Sequence, residues 1–149
     1  MKYAIRPMEE KDIPSVIAGE EKIFGTSLGY DMLYGDLNLN PYANYFVLDI
    51  NGEVRGYIGL WITYEVADVI NFYVDEAYQG AGFGSLILQF VVELCELSGV
   101  EKISLEVRVN NEKAIALYKK FGFVLSHVRK EYYSDKTDAY VLIKKVGEE

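Results

Sequence analysis

A strand–helix–strand passage in the middle of the chain restricts the fold more than any other feature. Residues 66–74 are rich in β-branched and apolar side chains, and residues 102–108 alternate between apolar and polar ones, as strands do. Between them, residues 83–97 have helical spacing and only a narrow polar stripe. The stripe predicted to face inward is Phe83, Ile87, Phe90, Leu94 and Leu97. Because this helix is so apolar, it must pack against a sheet.

The remaining segments add hairpins to this passage. Asn51-Gly52 separates the strand-like runs 45–49 and 54–62, which is the strongest local signal of a hairpin. Further predicted elements are a strand at 2–6, a helix from 9–12 through Phe24, a weaker helix at 30–37, a helix from Asn110-Asn111 to Gly122, and strands at 123–132 and 138–144. Hairpins beside a strand–helix–strand passage predict a mixed sheet with helices on its faces.

Length and composition restrict the class of protein. With 149 residues and no linker or repeat, we expect one domain spanning residues 1–149. The net charge of −8 argues against binding along nucleic-acid phosphates and favours cationic ligands. Cys95 and His127 are the single cysteine and histidine, so no Cys or His cluster can hold a metal. Without a signal-peptide pattern or a membrane-spanning run, the sequence predicts a cytoplasmic protein that binds no membrane.

A glycine-rich segment, Gln79-Gly80-Ala81-Gly82-Phe83-Gly84, lies between a predicted strand and the long helix. Backbone N–H groups and the helix dipole can converge there on an anion, for which a phosphate is the natural candidate. Two familiar nucleotide sites do not fit, because Ser85 stands where the phosphate loop of nucleotide hydrolases has Lys and where the dinucleotide fingerprint has Gly. A flexible turn of glycines is the alternative interpretation.

Two motifs resemble the signatures of the GNAT superfamily of acyl-CoA-dependent N-acetyltransferases. They are Gln79-x-x-Gly82-x-Gly84 and Asn111-x-x-Ala114-x-x-Leu117-Tyr118-x-x-x-Gly122-Phe123, about 30 residues apart. The order of strands and helices is similar to that superfamily across nearly the whole chain. The resemblance implies an α/β (α+β) fold: a mixed, mostly antiparallel central sheet of about six to seven strands flanked by about four helices. It also implies acetyl-CoA as co-substrate, with no metal.

Further segments look like the ribosomal-protein N-terminal alanine acetyltransferases. These are Asn71-Phe72-Tyr73-Val74-Asp75, Leu105-Glu106-Val107-Arg108-x-x-Asn111, Arg129-x-x-Tyr132-Tyr133 and Asp138-Ala139. That resemblance implies direct acetyl transfer from acetyl-CoA to a protein's α-amine within a ternary complex. It makes Glu106 the general base and Tyr118 the general acid. On the acceptor side we expect Asn71, Glu106, Tyr132 and Tyr133.

The same resemblance predicts the residues that bind acetyl-CoA. Backbone groups of residues 72–74 would bond the pantetheine amides, the 79–84 loop would hold the pyrophosphate, and Asn111 would lie near the pantetheine arm. The full predicted set is Phe72, Tyr73, Val74, Gln79, Gly80, Ala81, Gly82, Phe83, Gly84, Ser85, Asn111 and Tyr118. Arg108, Lys113, Lys119 and Lys120 surround the second motif and could offset the phosphates of CoA.

The chemistry of amine acetylation agrees with these roles. Attack on a thioester needs a neutral amine, and at pH 7 an α-amine is roughly 10% neutral whereas a lysine is about 0.04% neutral. A carboxylate acting through water can therefore deprotonate an α-amine more easily. Glu106 lies on the non-core face of its predicted strand, and Tyr118 faces the sheet. The alternatives are a solvated strand carboxylate and a plain core tyrosine.

The segment from Ile23 to Tyr30 departs from the resemblance, because peptide-directed relatives usually carry a Pro-Trp-rich stretch there. Acceptor recognition in the superfamily tends to come from this region and from the terminal strands. Two alternatives to a protein N-terminal acetyltransferase therefore stay open: an acetyltransferase of polyamines, aminoglycosides or amino acids, and a non-catalytic acyl-CoA-binding domain. In each case we expect a monomer or weak homodimer.

Overall fold

Seven strands form one sheet in a computed structural model that describes residues 1–147. The order across the sheet is β1-β2-β3-β4-β5-β7-β6. The strands are β1 (Tyr3–Pro7), β2 (Ala43–Ile50), β3 (Glu53–Thr63), β4 (Val66–Val74), β5 (Lys102–Arg108), β6 (Val124–Arg129) and β7 (Ala139–Lys145). The β4–β5 pair is parallel, from Val66↔Lys102 to Asp68↔Ser104, and the pairs β1–β2, β2–β3, β5–β7 and β6–β7 are antiparallel.

Four α-helices lie within the described residues: α1 (Ile13–Phe24), α2 (Tyr30–Asn38), α3 (Phe83–Leu97) and α4 (Glu112–Lys120). Helix α1 has a proline in its first turn and ends at Gly25, whose φ of 79° is accessible to glycine at no steric cost. Helix α4 begins where Asn111 Oδ1 accepts the Ala114 N–H at 3.2 Å. The predicted mixed sheet with flanking helices is confirmed.

The predicted hairpin joins β2 to β3. Asn51 and Gly52 both have positive φ, 53° and 87°, which is the backbone of the two-residue turn that matches the twist of antiparallel strands. The Asp49 carboxylate accepts the Gly52 N–H at 2.8 Å and closes the turn. The Asn-Gly dipeptide therefore sets this register, which contains one irregularity between Leu48 and Asp49.

The chain divides into two compact units. The first comprises residues 1–62 and 70–87, and its core is built from Met8, Ile13, Val16, Leu33, Tyr45, Val47, Tyr57 and Tyr73. The second comprises residues 63–69 and 88 onward, and its buried side chains include Val91, Cys95, Ile103, Leu105, Val107 and Leu142. The single domain expected from the length stays a prediction.

The face of α3 that is buried differs from the predicted one. Its buried side chains are Phe83, Ile87, Leu88, Val91, Val92 and Cys95. Phe90 and Leu94 are only half-buried, and Leu97 is 89% exposed. Apolar residues occupy most of the circumference of this helix. Two neighbouring rows of apolar residues therefore both have helical spacing, and the spacing does not select the row that is buried. The helix was predicted correctly, and its rotation was wrong.

The strand predicted at 123–132 is too long. Strand β6 ends at Arg129, and Glu131 has a φ of 50°, which turns the chain out of the extended conformation. Tyr132 and Tyr133 therefore lie in the β6–β7 loop (residues 130–138). Their orientations therefore do not follow the alternation of a strand.

Candidate active site

Glu106 lies on the face of β5 opposite to its core side chains. Ile103, Leu105 and Val107 are buried, whereas the Glu106 side chain is 29% exposed. Arg129 on β6 approaches it, with Nε 3.7 Å from Glu106 Oε1. The predicted alternation along β5 is thus present, and it presents a carboxylate together with a neighbouring cation.

Tyr118 is buried on α4 and packs against Phe123, with ring centroids 5.7 Å apart. Burial raises the pKa of Tyr118, and the nearby Tyr133 raises it further. A phenol in this environment keeps its proton at neutral pH, which a general acid requires. The same position also fits a packing role.

The β6–β7 loop brings two tyrosines close to these residues. The rings of Tyr132 and Tyr133 meet edge to face at 5.0 Å, and the Arg129 guanidinium lies 5.5 Å from the Tyr132 ring centroid. Burial raises the pKa of Tyr133 to about 12; Arg108 opposes the rise, and Tyr132 and Glu106 add to it. In the second unit, Tyr133 therefore lies within electrostatic reach of both Glu106 and Tyr118.

The glycine-rich loop belongs to the first unit and leads into α3. Gly80 and Gly82 have φ of 79° and 89°, and a Cβ built on either would meet nothing within 4 Å. The backbone there is thus open to close approach, as a cradle for a pyrophosphate requires. Gln79 Nε2 donates to the Val74 carbonyl at 2.9 Å and braces the loop against the end of β4.

Several side chains of the predicted cofactor set belong to the core. Phe83 is buried and packs edge-on against Tyr3 and Tyr78, with ring centroids 5.4 and 6.3 Å away. Tyr73 and Val74 are buried as well. In these three residues only the backbone is suited to a cofactor, whereas Ala81 is exposed and Gly84, Ser85 and Phe72 are half-buried.

The buried carboxylate of Glu20 is a feature that the sequence analysis missed. Its Oε1 accepts the Ser27 hydroxyl at 2.7 Å and the Leu28 N–H at 3.3 Å. Its Oε2 accepts the Tyr57 hydroxyl at 2.5 Å and Asn71 Nδ2 at 2.6 Å. A signal was available, because Glu20 falls at helical spacing on the apolar stripe of α1 after Ile13 and Val16.

Glu20 also fixes the amide of Asn71, which was predicted at the acceptor side. Because a carboxylate only accepts, the Asn71 NH2 group must face Glu20. The Asn71 Oδ1 then accepts the N–H of Phe72 at 3.1 Å. Both polar ends of this side chain thus have partners in the first unit.

Asn111 and Arg108, both near the second motif, have partners within the second unit. Asn111 caps α4 through its Oδ1. Arg108 Nη1 donates to Asp135, and its guanidinium lies over the Tyr133 ring. The sequence suggested that Arg108 contacts the phosphates of CoA. It did not indicate these contacts with Asp135 and Tyr133.

Metal and membrane sites were searched over residues 1–147. Within this range no group of three or more His, Cys, Asp or Glu side chains could hold a metal ion. No helix in the same range has the length and apolar character needed to cross a membrane. Cys95 is buried, and burial raises the pKa of its thiol to about 11, which makes it an inert packing residue.

Comparisons with known proteins identify the family. The sequence profile of the acetyltransferase (GNAT) family matches residues 13–123. The chain is 37% identical, over 99% of its length and 98% of the relative's, to a Bacillus subtilis protein provisionally named as a ribosomal protein bS18-alanine N-acetyltransferase. It is 33% identical to an N-α-acetyltransferase of Sulfurisphaera tokodaii, over 94% of this chain and 91% of the relative.

A solved structure agrees with these sequence matches. The ribosomal-protein-S18-alanine N-acetyltransferase of Escherichia coli superposes with a TM-score of 0.90 and 26% identity, over 99% of this chain and 96% of that one. The fold, the spacing of the motifs and the sequence matches converge on one family. The chain is therefore an acyltransferase and belongs to the GNAT family of acetyltransferases.

Proposed function

We propose that the protein transfers an acetyl group from acetyl-CoA to the N-terminal α-amine of a protein, of the ribosomal-protein alanine type. The observation that carries the proposal is the match of 37% identity over nearly the whole length of both chains to the Bacillus subtilis relative. The N-α-acetyltransferase of Sulfurisphaera tokodaii supports the same class of acceptor. A ribosomal protein is met in the cytoplasm, which is the location that we propose.

The residues of the glycine-rich loop fit the pyrophosphate of CoA. Gly80 and Gly82 have positive φ, and the open space beside both leaves room for the phosphates near the backbone N–H groups. Backbone groups of residues 72–74, in the same unit as the loop, are proposed to bond the pantetheine amides. Bound acetyl-CoA supplies the acetyl group as a thioester.

Glu106 is the proposed general base. It takes a proton from the acceptor ammonium, directly or through one water, and the neutral nitrogen then attacks the thioester carbon. An α-amine suits this base because its pKa near 8 leaves roughly a tenth of it neutral at pH 7. The exposure of the Glu106 side chain, 29%, is compatible with access for an amine.

Tyr118 is the proposed general acid. As the C–N bond forms and the C–S bond breaks, the phenol of Tyr118 gives a proton to the thiolate of CoA. The nitrogen then loses its second proton, which restores the phenol, directly or through water, and leaves the neutral amide. The raised pKa of Tyr118 supports this role because the hydroxyl stays protonated at the pH of the reaction. Transfer is then direct, within a ternary complex, and uses no covalent intermediate with the protein.

The proposal is tested by measuring CoA release from acetyl-CoA with a panel of acceptors. The panel contains short peptides with free Ala, Ser, Gly or Met N-termini, the same peptides blocked at the N-terminus but carrying lysine, and free polyamines and aminoglycosides. We expect turnover only with free N-termini, and fastest with Ala. Turnover confined to the small amines would overturn the proposal in favour of a small-molecule acetyltransferase.

A further inference from the structure

Arg108 is committed to the β6–β7 loop by two kinds of contact. It follows Glu106 by two residues on β5, so both side chains leave the same face of the strand. Its Nη1 donates to both carboxylate oxygens of Asp135 at 2.9 Å, and its guanidinium carbon lies 4.1 Å from the centroid of the Tyr133 ring. A planar guanidinium can make both contacts at once, which an ammonium cannot.

The segment from Tyr133 to Thr137 is closed by its own hydrogen bonds. The Tyr133 N–H donates to the Thr137 carbonyl at 3.2 Å, and the Lys136 N–H donates to the Tyr133 carbonyl at 2.8 Å. Asp135 Oδ1 accepts the Thr137 N–H at 3.1 Å, and its bond from Arg108 lowers the pKa of Asp135 to about 2. This turn is a small ordered unit, and Arg108 ties it to β5.

Tyr133 interacts both with this anchor and with the proposed catalytic pair. It is half-buried, its ring meets that of Tyr132, and the charge of Glu106 acts on its hydroxyl. Arg129, which approaches Glu106, lies over Tyr132. A shift of the loop would therefore move both tyrosines relative to the carboxylate that is proposed to receive the acceptor's proton.

We propose that Arg108 is a positioning residue that acts through Asp135 and the Tyr133 ring to hold the β6–β7 loop as one wall of the acceptor site. This inference rests on the proposed function. It assigns Arg108 to the acceptor site and not to the phosphates of CoA. The reason is that the guanidinium already pairs with the Asp135 carboxylate and lies with its face against the Tyr133 ring.

The test compares Arg108→Gln and Asp135→Asn with the wild type in steady-state transfer to an Ala-terminated peptide. Each substitution should raise the KM for the peptide roughly fivefold, as the loss of one cation–π contact or charged hydrogen bond implies. The KM for acetyl-CoA and the unfolding temperature should stay as in the wild type. Lys102→Gln is the matched control, since Lys102 is an exposed cation at the opposite end of β5, and it should change neither KM.

A second comparison asks whether Arg108 acts through Tyr133. Tyr133→Leu removes the ring, and the double variant with Arg108→Gln should be no worse than the worse single variant. Independent, multiplying effects on the peptide KM would overturn the inference. So would an Arg108→Gln variant that raises the KM for acetyl-CoA alone.

The wild type separates failure of the inference from failure of the proposed function. If the wild type acetylates no free N-terminus, the proposed function falls, and the acceptor role of the loop falls with it. If it acetylates the Ala-terminated peptide and Arg108→Gln leaves the peptide KM unchanged, the inference alone is overturned.

Discussion

The carboxylate of Glu20 accepts a 2.5 Å hydrogen bond from the hydroxyl of Tyr57, and both side chains are fully buried. Three further donors, from Ser27, Leu28 and Asn71, converge on the same carboxylate. Through this one group, α1 is tied to β3, to β4 and to the segment that follows α1. The network thus fixes Asn71 and the 25–29 segment together, both of which the sequence analysis placed on the acceptor side.

Glu20→Gln should destabilise the protein by about 2–3 kcal/mol, because the new NH2 group would face donors and leave at least one buried hydrogen bond unmade. Chemical denaturation measures the change in the free energy of unfolding. Glu21→Gln is the matched control, since Glu21 is exposed on the same helix and its substitution should be neutral. Equal stability of Glu20→Gln and the wild type would show that the network contributes little.

The sequence predicted the elements better than it predicted which faces they bury. Helix α1 was expected through Phe24, yet the burial of Glu20 within it went unnoticed because a charged residue is usually assigned to solvent. Helix α3 was predicted as a helix and rotated to the wrong stripe. In both cases the period identifies a helix, whereas the contacts that select a face come from distant parts of the chain.

The candidate site shows the same division. Glu106 could be placed because β5 alternates strictly, so one face was identifiable from the sequence. The β6–β7 loop could not be placed from the sequence, because its backbone has positive φ at Glu131 and Lys136. Its position also depends on the Arg108–Asp135 ion pair, which joins residues 27 positions apart. Local sequence patterns do not predict contacts between residues so far apart in the chain.

The pair of Asp12 and Arg6 predicts an acid-sensitive contribution to stability. Burial is the largest single influence on Asp12 and opposes its ionisation. The hydrogen bonds from Arg6 at 2.7 and 3.0 Å, the Glu9 N–H and the nearby positive charges together outweigh burial and hold the pKa of Asp12 below its ordinary value. A lowered pKa in the folded state contributes stability that is present above the unfolded pKa of about 3.9 and is lost as the pH falls through the folded pKa.

The stability difference between the wild type and Asp12→Asn should therefore be largest near neutral pH and shrink below about pH 4. Denaturation curves over a pH series measure it. Glu65→Gln provides the comparison, because it removes one carboxylate at an exposed position outside the Arg6–Asp12 pair. A constant difference between the wild type and Asp12→Asn at all pH values would contradict this account of the ion pair.

Glu106→Gln tests the proposed base. The side chain keeps its size but cannot take a proton, so kcat should fall by about 10²–10⁴-fold while acetyl-CoA binds as before. Steady-state kinetics and calorimetry measure the two quantities. Glu101→Gln, at an exposed position just before β5, should leave both unchanged. Unchanged turnover in Glu106→Gln would remove this residue from the base role.

Tyr118→Phe tests the proposed acid by removing one hydroxyl from a buried ring. We expect kcat to fall by about 10²-fold. Because burial raises the pKa of Tyr118 above its ordinary value of 10.0, the wild type should lose no activity through this residue as the pH rises from about 7 to about 9. A fall of less than a few-fold, no larger than in the exposed control Tyr64→Phe, would favour a packing role for Tyr118.

Gly82→Val should weaken acetyl-CoA binding by at least about tenfold, because a branched side chain would fill the space that the pyrophosphate is proposed to occupy. The substitution also strains a backbone with φ of 89°, so the loss of affinity needs a control for strain. Gly99→Val supplies it: Gly99 has φ of 75° at the C-terminal end of α3, outside the proposed cofactor set. Both variants should lose similar stability.

Only Gly82→Val should bind acetyl-CoA more weakly in calorimetry, because only this glycine lies in the 79–84 loop. If Gly82→Val and the wild type bound acetyl-CoA with comparable affinity, the pyrophosphate could not be bound at the 79–84 loop. A comparable loss of affinity in Gly99→Val would instead assign the effect to strain in the fold. The pair of glycines thus separates the conformational role of a positive φ from the role of the open space beside it, which is the property that the cofactor needs.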